Sequence, residues 1–544
     1  MSTEEKKTIK AGTKPHLEFW DTENEEFWVK EGKSIANRNL WISIPNLLIA
    51  FAVWIIWSIV IVKIQQIHDL NASMYTFPDL GTITDYKALL FTLPAVAGLS
   101  GATLRVPNSF MIAISGGRVT IALTTLLLLI PMLLLGIVIQ DTNVAFSTLV
   151  VIAVLSGVGG GAFASSMSNI SFFFPKKMQG TSLGLNAGLG NVGVSIMQLV
   201  VPLVMTFQLF GALSGDAATT ESGKIYIANG ALIWVPLCAI FLLAAWFKMN
   251  SLPQHDVGNA AKSSFKFLWL EMLGFIGAGL GAVLLIADWG TTFSQPFLKL
   301  IRLFVIVIIA VIITLILMRY ASQKEIKSSL NKQFEIFHEK HNWVMTYLYV
   351  MTFGSFIGFS AAFPKLILDS FGYLPNGSVN PNAPDPVQFA WLGALVGSLV
   401  RPIGGMMSDK WGGAKVTQWD TVVMILSTFG VGWVLIQAKN SATPETYFPI
   451  FFILFLILFI TTGIGNGSTF RMVPIIFEKE KAGPVLGWIS AIAAYGAFII
   501  PSIFGIATAL DSAEYAMFGF GIYYISCLVL NWWYYARKNA EKPC

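Results

Sequence analysis

Uninterrupted apolar runs of about 20 residues recur fourteen times along this 544-residue chain, each long enough to cross a ~30 Å hydrocarbon core as a helix. Nothing else in the sequence constrains the fold as much. In hydrocarbon, backbone N–H and C=O groups must be satisfied within a helix or a closed barrel. Runs this long, with no short alternating strands between them, exclude the barrel. They fall at about 40–62, 88–112, 119–139, 145–173, 181–210, 226–247, 267–287, 301–318, 343–368, 388–407, 418–437, 447–476, 484–508 and 515–535. An all-α polytopic membrane protein is therefore expected, surrounded by the lipid bilayer. Only 12% of residues are charged, against about a quarter in soluble domains. The net charge of +5 then reflects loop charge and implies no nucleic-acid partner. Cys238, Cys527 and Cys544 lie far apart, with no CxxC spacing and no nearby His. No disulfide framework, metal site or cofactor is expected from them.

An even number of spans puts both termini on one side. Most of the 35 Lys and Arg residues fall in segments on that side: the first 40 residues, Arg118, Lys176 and Lys177, 248–266, 319–340, Lys410 and Lys415, Lys479 and Lys481, and the tail. The positive-inside rule makes it the cytoplasmic side, so a multi-pass cytoplasmic (inner) membrane protein with both termini cytoplasmic is predicted. Residues 1–37 lack the apolar core of a signal peptide. Within them Phe19–Trp28 carries two Trp and two Phe among acids, and is expected to tether the chain along the membrane surface.

Two arginines sit inside apolar runs at matching places. Leu104-Arg105-Val106-Pro107 is followed by Gly116-Gly117-Arg118-Val119-Thr120; Val400-Arg401-Pro402 is followed by Gly412-Gly413-Ala414-Lys415-Val416-Thr417. An Arg at the centre of a spanning helix costs roughly 2.5–3.5 kcal/mol on insertion scales, so an intramembrane Arg is a functional candidate by default. Two related by an internal repeat suggest a pseudo-symmetric site for an anion. The repeat extends to Gly157–Gly161 against Gly463–Gly467, and to Gly180 and Leu183-Gly184 against Gly483 and Leu486-Gly487. Two homologous six-helix halves with an inserted pair of helices between them describe the major facilitator fold, with a midplane site between the halves. The expected division is 1–37 cytoplasmic segment, 38–249 first half, 250–342 inserted pair and linker, 343–537 second half, 538–544 tail. Asp409 and Lys410, in Ser408–Lys415, resemble the charged loop after the second helix of such halves; Arg118 stands in the worn first copy. These residues, with Arg471, are the candidate gating charges, latching neighbouring helices through charge pairs.

The fourth and fifth runs are rich in Gly, Ala, Ser and Asn. Close helix packing accounts for most of the glycines, including the Gly157/Gly161 and Gly184/Gly188 pairs. It accounts less well for Asn186, Asn191 and Gln198, amides that need partners in hydrocarbon.

The stretches Gly159-Gly160-Gly161-Ala162-Phe163 to Pro175 and Leu183-Gly184-Leu185-Asn186 to Gln198 closely resemble the nitrate signature of the nitrate/nitrite porters (NarK type). So do Asn37–Pro45, Tyr349–Ser360 and Gly465–Phe470, and the likeness covers the chain from about residue 20 apart from 250–340. The resemblance implies a carrier of nitrate and nitrite. Arg105 and Arg401 would clamp the anion, with Phe163, Phe353, Tyr349 and Phe470 flanking it and Asn191 supplying an amide. Nitrate is flat and accepts hydrogen bonds only, which suits the planar fork of a guanidinium. Rings above and below would reject tetrahedral anions by shape. Such carriers usually act as monomers.

Two features depart from the family pattern. Arg471 follows Phe470 where relatives carry a neutral residue; a gate partner or a snorkelling side chain is favoured over substrate contact, because adjacent helical residues point ~100° apart. The inserted pair carries Glu271 and Asp288, both expected at the membrane interface, and no substrate role is predicted for it. Protonatable groups are otherwise scarce in the spans, Asp420 being the exception, and no His falls within any. Exchange of nitrate for nitrite is therefore predicted over nitrate–proton symport. No nucleotide loop, ligand cluster or nucleophile–base pair supports an enzyme, and no appended domain supports a receptor.

Overall fold

The computed structural model describes residues 15–544 except 82, 84, 221–222, 254–258 and 288–294; at 176, 177, 179, 180, 325, 329, 332, 333, 479, 480 and 483 it describes the backbone alone. Among these residues fourteen helices are long and apolar enough to cross a membrane. They are α1 (Glu25–Leu70), α2 (Tyr86–Asn108), α3 (Gly117–Val138), α4 (Phe146–Phe173), α5 (Thr181–Met205), α6 (Asn229–Lys248), α7 (Ala260–Ile286), α8 (Pro296–Ala321), α9 (Lys340–Phe371), α10 (Pro386–Trp411), α11 (Gly413–Lys439), α12 (Pro444–Ile476), α13 (Pro484–Ala509) and α14 (Ala513–Ala536). All fourteen apolar runs are therefore helices. A short hairpin, β1 (Ala218–Thr220) and β2 (Gly223–Ile225), pairs antiparallel in the connection from α5 to α6, with Ala218 opposite Ile225.

The internal repeat has a backbone signature. Gly116, before α3, has φ +75° and ψ 152°; Gly412, before α11, has φ +90° and ψ 134°. Side-chain-bearing residues rarely adopt this conformation, so the paired glycines set the same sharp reversal in both halves.

Glycine also decides how closely the helices pack. A side chain at Gly159 would lie 2.0 Å from the Ala50 carbonyl oxygen, and one at Gly157 2.2 Å from Ser100 Oγ. The Gly157/Gly161 pair thus does what the sequence predicted of it. Gly184 and Gly188 do not: Gly184 has nothing within 4 Å, and the nearest atom to Gly188 is 3.8 Å away, on Ser398. Gly188 thus stands at ordinary contact distance from α10, and only Gly184 of the pair faces open space.

Contacts between the first six spans and the last six run chiefly through α5 against α10, α2 against α13, and α1 against α9. The α2–α13 crossing is tight, since a side chain at Gly98 would strike the Ala497 carbonyl at 2.1 Å. Polar bridges also cross here: Thr103 Oγ1 lies 2.9 Å from Tyr495 OH, and Gln198 Nε2 donates to the Ser360 carbonyl at 2.8 Å.

The aromatic segment Phe19–Trp28 is fastened to the end of α4. Trp20 Nε1 donates to the Phe172 carbonyl at 3.1 Å, and Trp20 and Trp28 pack edge-on against Phe173 and Phe174 at the end of α4. The segment tethers the chain start to α4, with the Phe27 and Trp28 rings buried in protein.

The inserted pair packs on the flank of α2, with α7 inside and α8 outside. Glu271 on α7 is enclosed by protein. It is 1% exposed and accepts a hydrogen bond from Asn108 Nδ2 on α2; Asp288 falls outside the described residues. Gly274 and Gly281 of α7 lie against Leu104 and Leu99 of α2, and Gly277 against Thr314 of α8, which brings the three helices close together around the carboxyl group. His341 likewise differs from expectation, because α9 begins three residues earlier than its apolar run and takes this histidine into its first turn.

Candidate functional site

Arg105 is fully buried on α2. Its Nε donates to the Gly160 carbonyl of α4 at 3.0 Å and its Nη1 to the Ser490 carbonyl of α13 at 3.1 Å. One guanidinium therefore reaches backbone in both halves. Nη2 has no partner among the described residues. The guanidinium carbon stands 4.8 Å from the Phe163 ring centre, 5.1 Å from that of Phe353 and 5.4 Å from that of Trp54.

Arg401, on α10, is 5% exposed. Its Nη2 donates to Tyr349 OH at 3.1 Å, while Nη1 has no partner among the described residues. Its guanidinium carbon lies 5.8 Å from the centre of Phe163 and 5.6 Å from that of Phe470. Both arginines thus face the same Phe163 ring.

The rings are held by an irregularity in α9. Residues Val350–Gly354 form a π-helical turn, a feature common at functional sites. It leaves Tyr349 and Phe353 nearly parallel, 8° apart with centroids 5.7 Å apart; Phe353 also stacks near Phe163 at 5.8 Å, and Tyr349 lies 5.5 Å from Phe470. Six of the seven predicted binding residues form one cluster. The seventh, Asn191, is 1% exposed on α5, and neither its Oδ1 nor its Nδ2 has a partner among the described residues. Asn186 and Gln198 differ from it: Asn186 donates to Ser166 Oγ at 2.9 Å, and Gln198 bridges to Ser58 and Ser360.

Among the described residues, no carboxylate forms an ion pair with Arg105 or Arg401. Rings supply cation–π attraction, which is worth about 2 kcal/mol when desolvated. Burying an ion unpaired costs several kcal/mol. Two guanidiniums sharing an aromatic wall, each with an N–H group unspent, are an arrangement that a small flat anion would complete.

The four gating candidates do not form one cluster. Arg471 Nε donates to Asp409 Oδ1 at 2.5 Å, tying α12 to α10, with both side chains about half exposed. This partner turns Arg471 away from the role of a third substrate charge. Lys410 lies over the Trp411 ring at 5.6 Å. Arg118 is buried and donates to the Trp246 carbonyl at 3.0 Å, joining α3 to α6. Sequence reasoning missed Trp54 and the Ser490 carbonyl. An aromatic ring among many, and a backbone oxygen without residue identity, leave no signal in a single sequence.

No family model matches the chain. A probable nitrate/nitrite antiporter, NarK2, from Thermus thermophilus is 35% identical over 543 residues, covering 98% of this chain and 100% of the relative. The nitrate/nitrite transporter NarU of Salmonella typhimurium is 35% identical over 549 residues, covering 97% of each. Among solved structures, a partially occluded inward-open form of the xylose transporter XylE from E. coli matches with TM-score 0.54 at 13% identity, over 92% of this chain and 97% of that one. Tetrameric PepTSo2 matches with TM-score 0.53 at 13% identity, over 91% and 97%. At such identities the structures speak for the fold, and the full-length relatives for the family. The chain belongs to the nitrate/nitrite transporter family and has the major facilitator fold.

Proposed function

We propose that this protein carries nitrate and nitrite across the cytoplasmic membrane by exchange, working as a monomer with both termini in the cytoplasm. The observation that carries this reading is the pair of buried, carboxylate-free guanidiniums around Phe163, each with a nitrogen unspent. The names of the full-length relatives supply the anions.

Arg105 and Arg401 would grip opposite edges of the anion, with Phe163, Phe353 and Phe470 against its faces. Water exclusion by those rings strengthens the charge pairing, since the attraction scales inversely with the local dielectric. Without an anion the two cations repel, so the empty carrier resists closing and returns slowly. Loaded, the halves rock around the occupied site. Nitrate in for nitrite out moves no net charge. Inward uniport would instead work against roughly 2.3 kcal/mol per charge per 100 mV.

The test is nitrate uptake by proteoliposomes either preloaded with nitrite or left empty, each with and without an inward proton gradient. Uptake that needs internal nitrite and ignores the gradient is the expected result. Preloading without any effect on uptake would end the exchange reading.

A further inference from the structure

Asp420 is an acid that the anion site does not use. It lies near the start of α11, about 10 Å beyond Gly413 at ~1.5 Å per residue. It is 7% exposed, and its Oδ2 is enclosed without a hydrogen-bond partner among the described residues. Arginines on the neighbouring helices are engaged elsewhere, Arg401 with Tyr349 and Arg471 with Asp409. Buried charges are paired with an opposite charge or coordinate a metal.

The surrounding hydroxyls have their protons spent on backbone. Thr469 Oγ1 and Ser468 Oγ both donate to the Gly465 carbonyl, at 2.6 and 3.1 Å, and Thr352 Oγ1 donates to the Tyr349 carbonyl at 3.4 Å. Thr352 Oγ1 and Thr469 Oγ1 stand 3.2 Å apart. Gly465 leaves the space on which these groups converge: a side chain there would lie 2.7 Å from Asp420 Oδ2 and 2.6 Å from Thr352 Cγ2. With the hydroxyl protons held by carbonyls, lone pairs are what remain to offer beside the carboxylate. Oxygen ligands of one hard cation lie about 2.3–2.6 Å from it, hence roughly 3.4 Å from each other at a right angle. The two threonine hydroxyls are spaced in that way. A single carboxylate balances a single positive charge, so a monovalent ion leaves the site neutral where a divalent one would not.

We propose that Asp420, Thr352 and Thr469 form a binding site for an alkali cation of sodium's size, which stays bound through the transport cycle and stiffens the back of the aromatic wall. All three residues belong to the second half, on α11, α9 and α12. Rocking of the halves therefore does not open the site to alternate sides of the membrane, and the gradient of the ion does no work. The reach to the anion site is short. Thr352 stands between Tyr349 and Phe353 in the π-helical turn, and Thr469 directly precedes Phe470. Neighbouring helical residues point ~100° apart, so the same turns present rings to the anion and hydroxyls to the cation. The effect on transport rests on anion binding at Arg105 and Arg401; cation binding itself does not.

The experiment uses the full chain, first in detergent and then in proteoliposomes, with sodium chloride replaced by choline chloride at constant ionic strength. Sodium should raise the melting temperature saturably, and Asp420→Asn should remove that response. In vesicles with equal sodium on both sides, the apparent KM for nitrate in exchange should fall as sodium rises. That dependence should vanish in Asp420→Asn, and a sodium gradient should drive no nitrate into empty vesicles. No saturable response in the unaltered protein, or the same response in Asp420→Asn, would overturn the site. Stabilisation by acid with none by sodium makes the occupant a proton and overturns the cation assignment. A KM indifferent to sodium refutes the link to the rings, and uptake driven by the sodium gradient refutes the resident role. If Asp420→Asn does not fold, Thr469→Val decides. Half-saturating sodium should then rise by at least about tenfold, as when a metal site loses a supporting group, and an unchanged value refutes the site. Sodium binding without any exchange would instead sink the exchange reading and leave this site standing.

Discussion

At the scale of single residues, the fork of a guanidinium explains why these positions would not tolerate lysine. Arg105 uses Nε and Nη1 to hold itself against Gly160 and Ser490, which fixes the direction of the unspent Nη2. An ammonium at the end of a flexible stem cannot hold two anchors and still present a third donor along a set line. A hydrogen bond to a charged group contributes about 1.5–3 kcal/mol, so Arg105→Lys and Arg401→Lys should each raise the apparent KM for nitrate by roughly 10- to 150-fold. Tyr349→Phe removes the acceptor that orients Arg401 Nη2 but no donor to the anion, so a smaller rise of about 2- to 10-fold is expected. Initial rates of exchange in proteoliposomes measure all three. A Tyr349→Phe effect larger than either lysine effect would contradict the clamp. The two arginines were legible because charge in hydrocarbon is costly enough to mark itself. The close resemblance then picked out four aromatics among 41 Phe and 14 Tyr, which physical reasoning alone would have assigned to packing or lipid contact.

At the scale of elements, the loops on the side of the termini carry the charges. The Asp409–Arg471 pair joins α10 to α12 just before the Gly412 reversal. A half-exposed pair contributes up to about 1 kcal/mol. Asp409→Asn should therefore slow exchange by at most about fivefold, and the reversed pair Asp409→Arg with Arg471→Asp should recover most of the loss. Failure of the reversed pair to recover any activity would remove the latch. The tail forms a second fastening: Lys340 Nζ lies 2.6 Å from Glu541 Oε2, and the Lys481 ammonium donates to Glu339 at the start of α9. The hydrogen bond from Lys340 holds Glu541 below the usual carboxylate range, and that from Lys481 does the same for Glu339. A depressed acid stabilises fully above its unfolded pKa of about 4.3 and loses that contribution as pH falls through its folded value. Hydrogen exchange in residues 538–544 should therefore quicken as the solution is taken below about pH 4, before exchange in α14 does. These partners lie 62 to 201 residues apart in sequence. Each helix was readable from its own apolar run, but which charged ends meet depends on how the helices pack.

At the scale of the whole molecule, the halves are bolted together at the end away from the termini. Gln65 Nε2 on α1 donates to Tyr373 OH at 2.5 Å, Tyr373 OH donates to Asp69, and Lys87 Nζ sits 2.9 Å from the centre of the Tyr373 ring. Beneath them Lys365, with no exposed surface, holds both oxygens of Asp369 at 2.6 and 2.5 Å. None of the bolt was foreseen. Lys365 and Asp369 read as an ordinary i,i+4 pair, and Tyr373 as one more interfacial tyrosine, until folding brings the ends of α1 and α9 together. If alternating access is a rocking of the halves, opening the far end must break the Tyr373 contacts. Its hydroxyl donates to the Asp69 carboxyl group, and losing such a bond removes about 1.5–3 kcal/mol from the closed form. Tyr373→Phe should then shift the ratio of far-end-open to far-end-closed carrier by roughly 10- to 150-fold. Spin labels at Asn71 and Asn376, both in exposed turns, report that ratio as a distance distribution in the unliganded protein. The variant should populate the longer distance, and added nitrite should redistribute it by stabilising the forms that close around the anion. An unchanged distribution would mean that the bolt is scaffolding, and that the barrier to opening lies instead at the α2–α13 crossing where Gly98 meets Ala497.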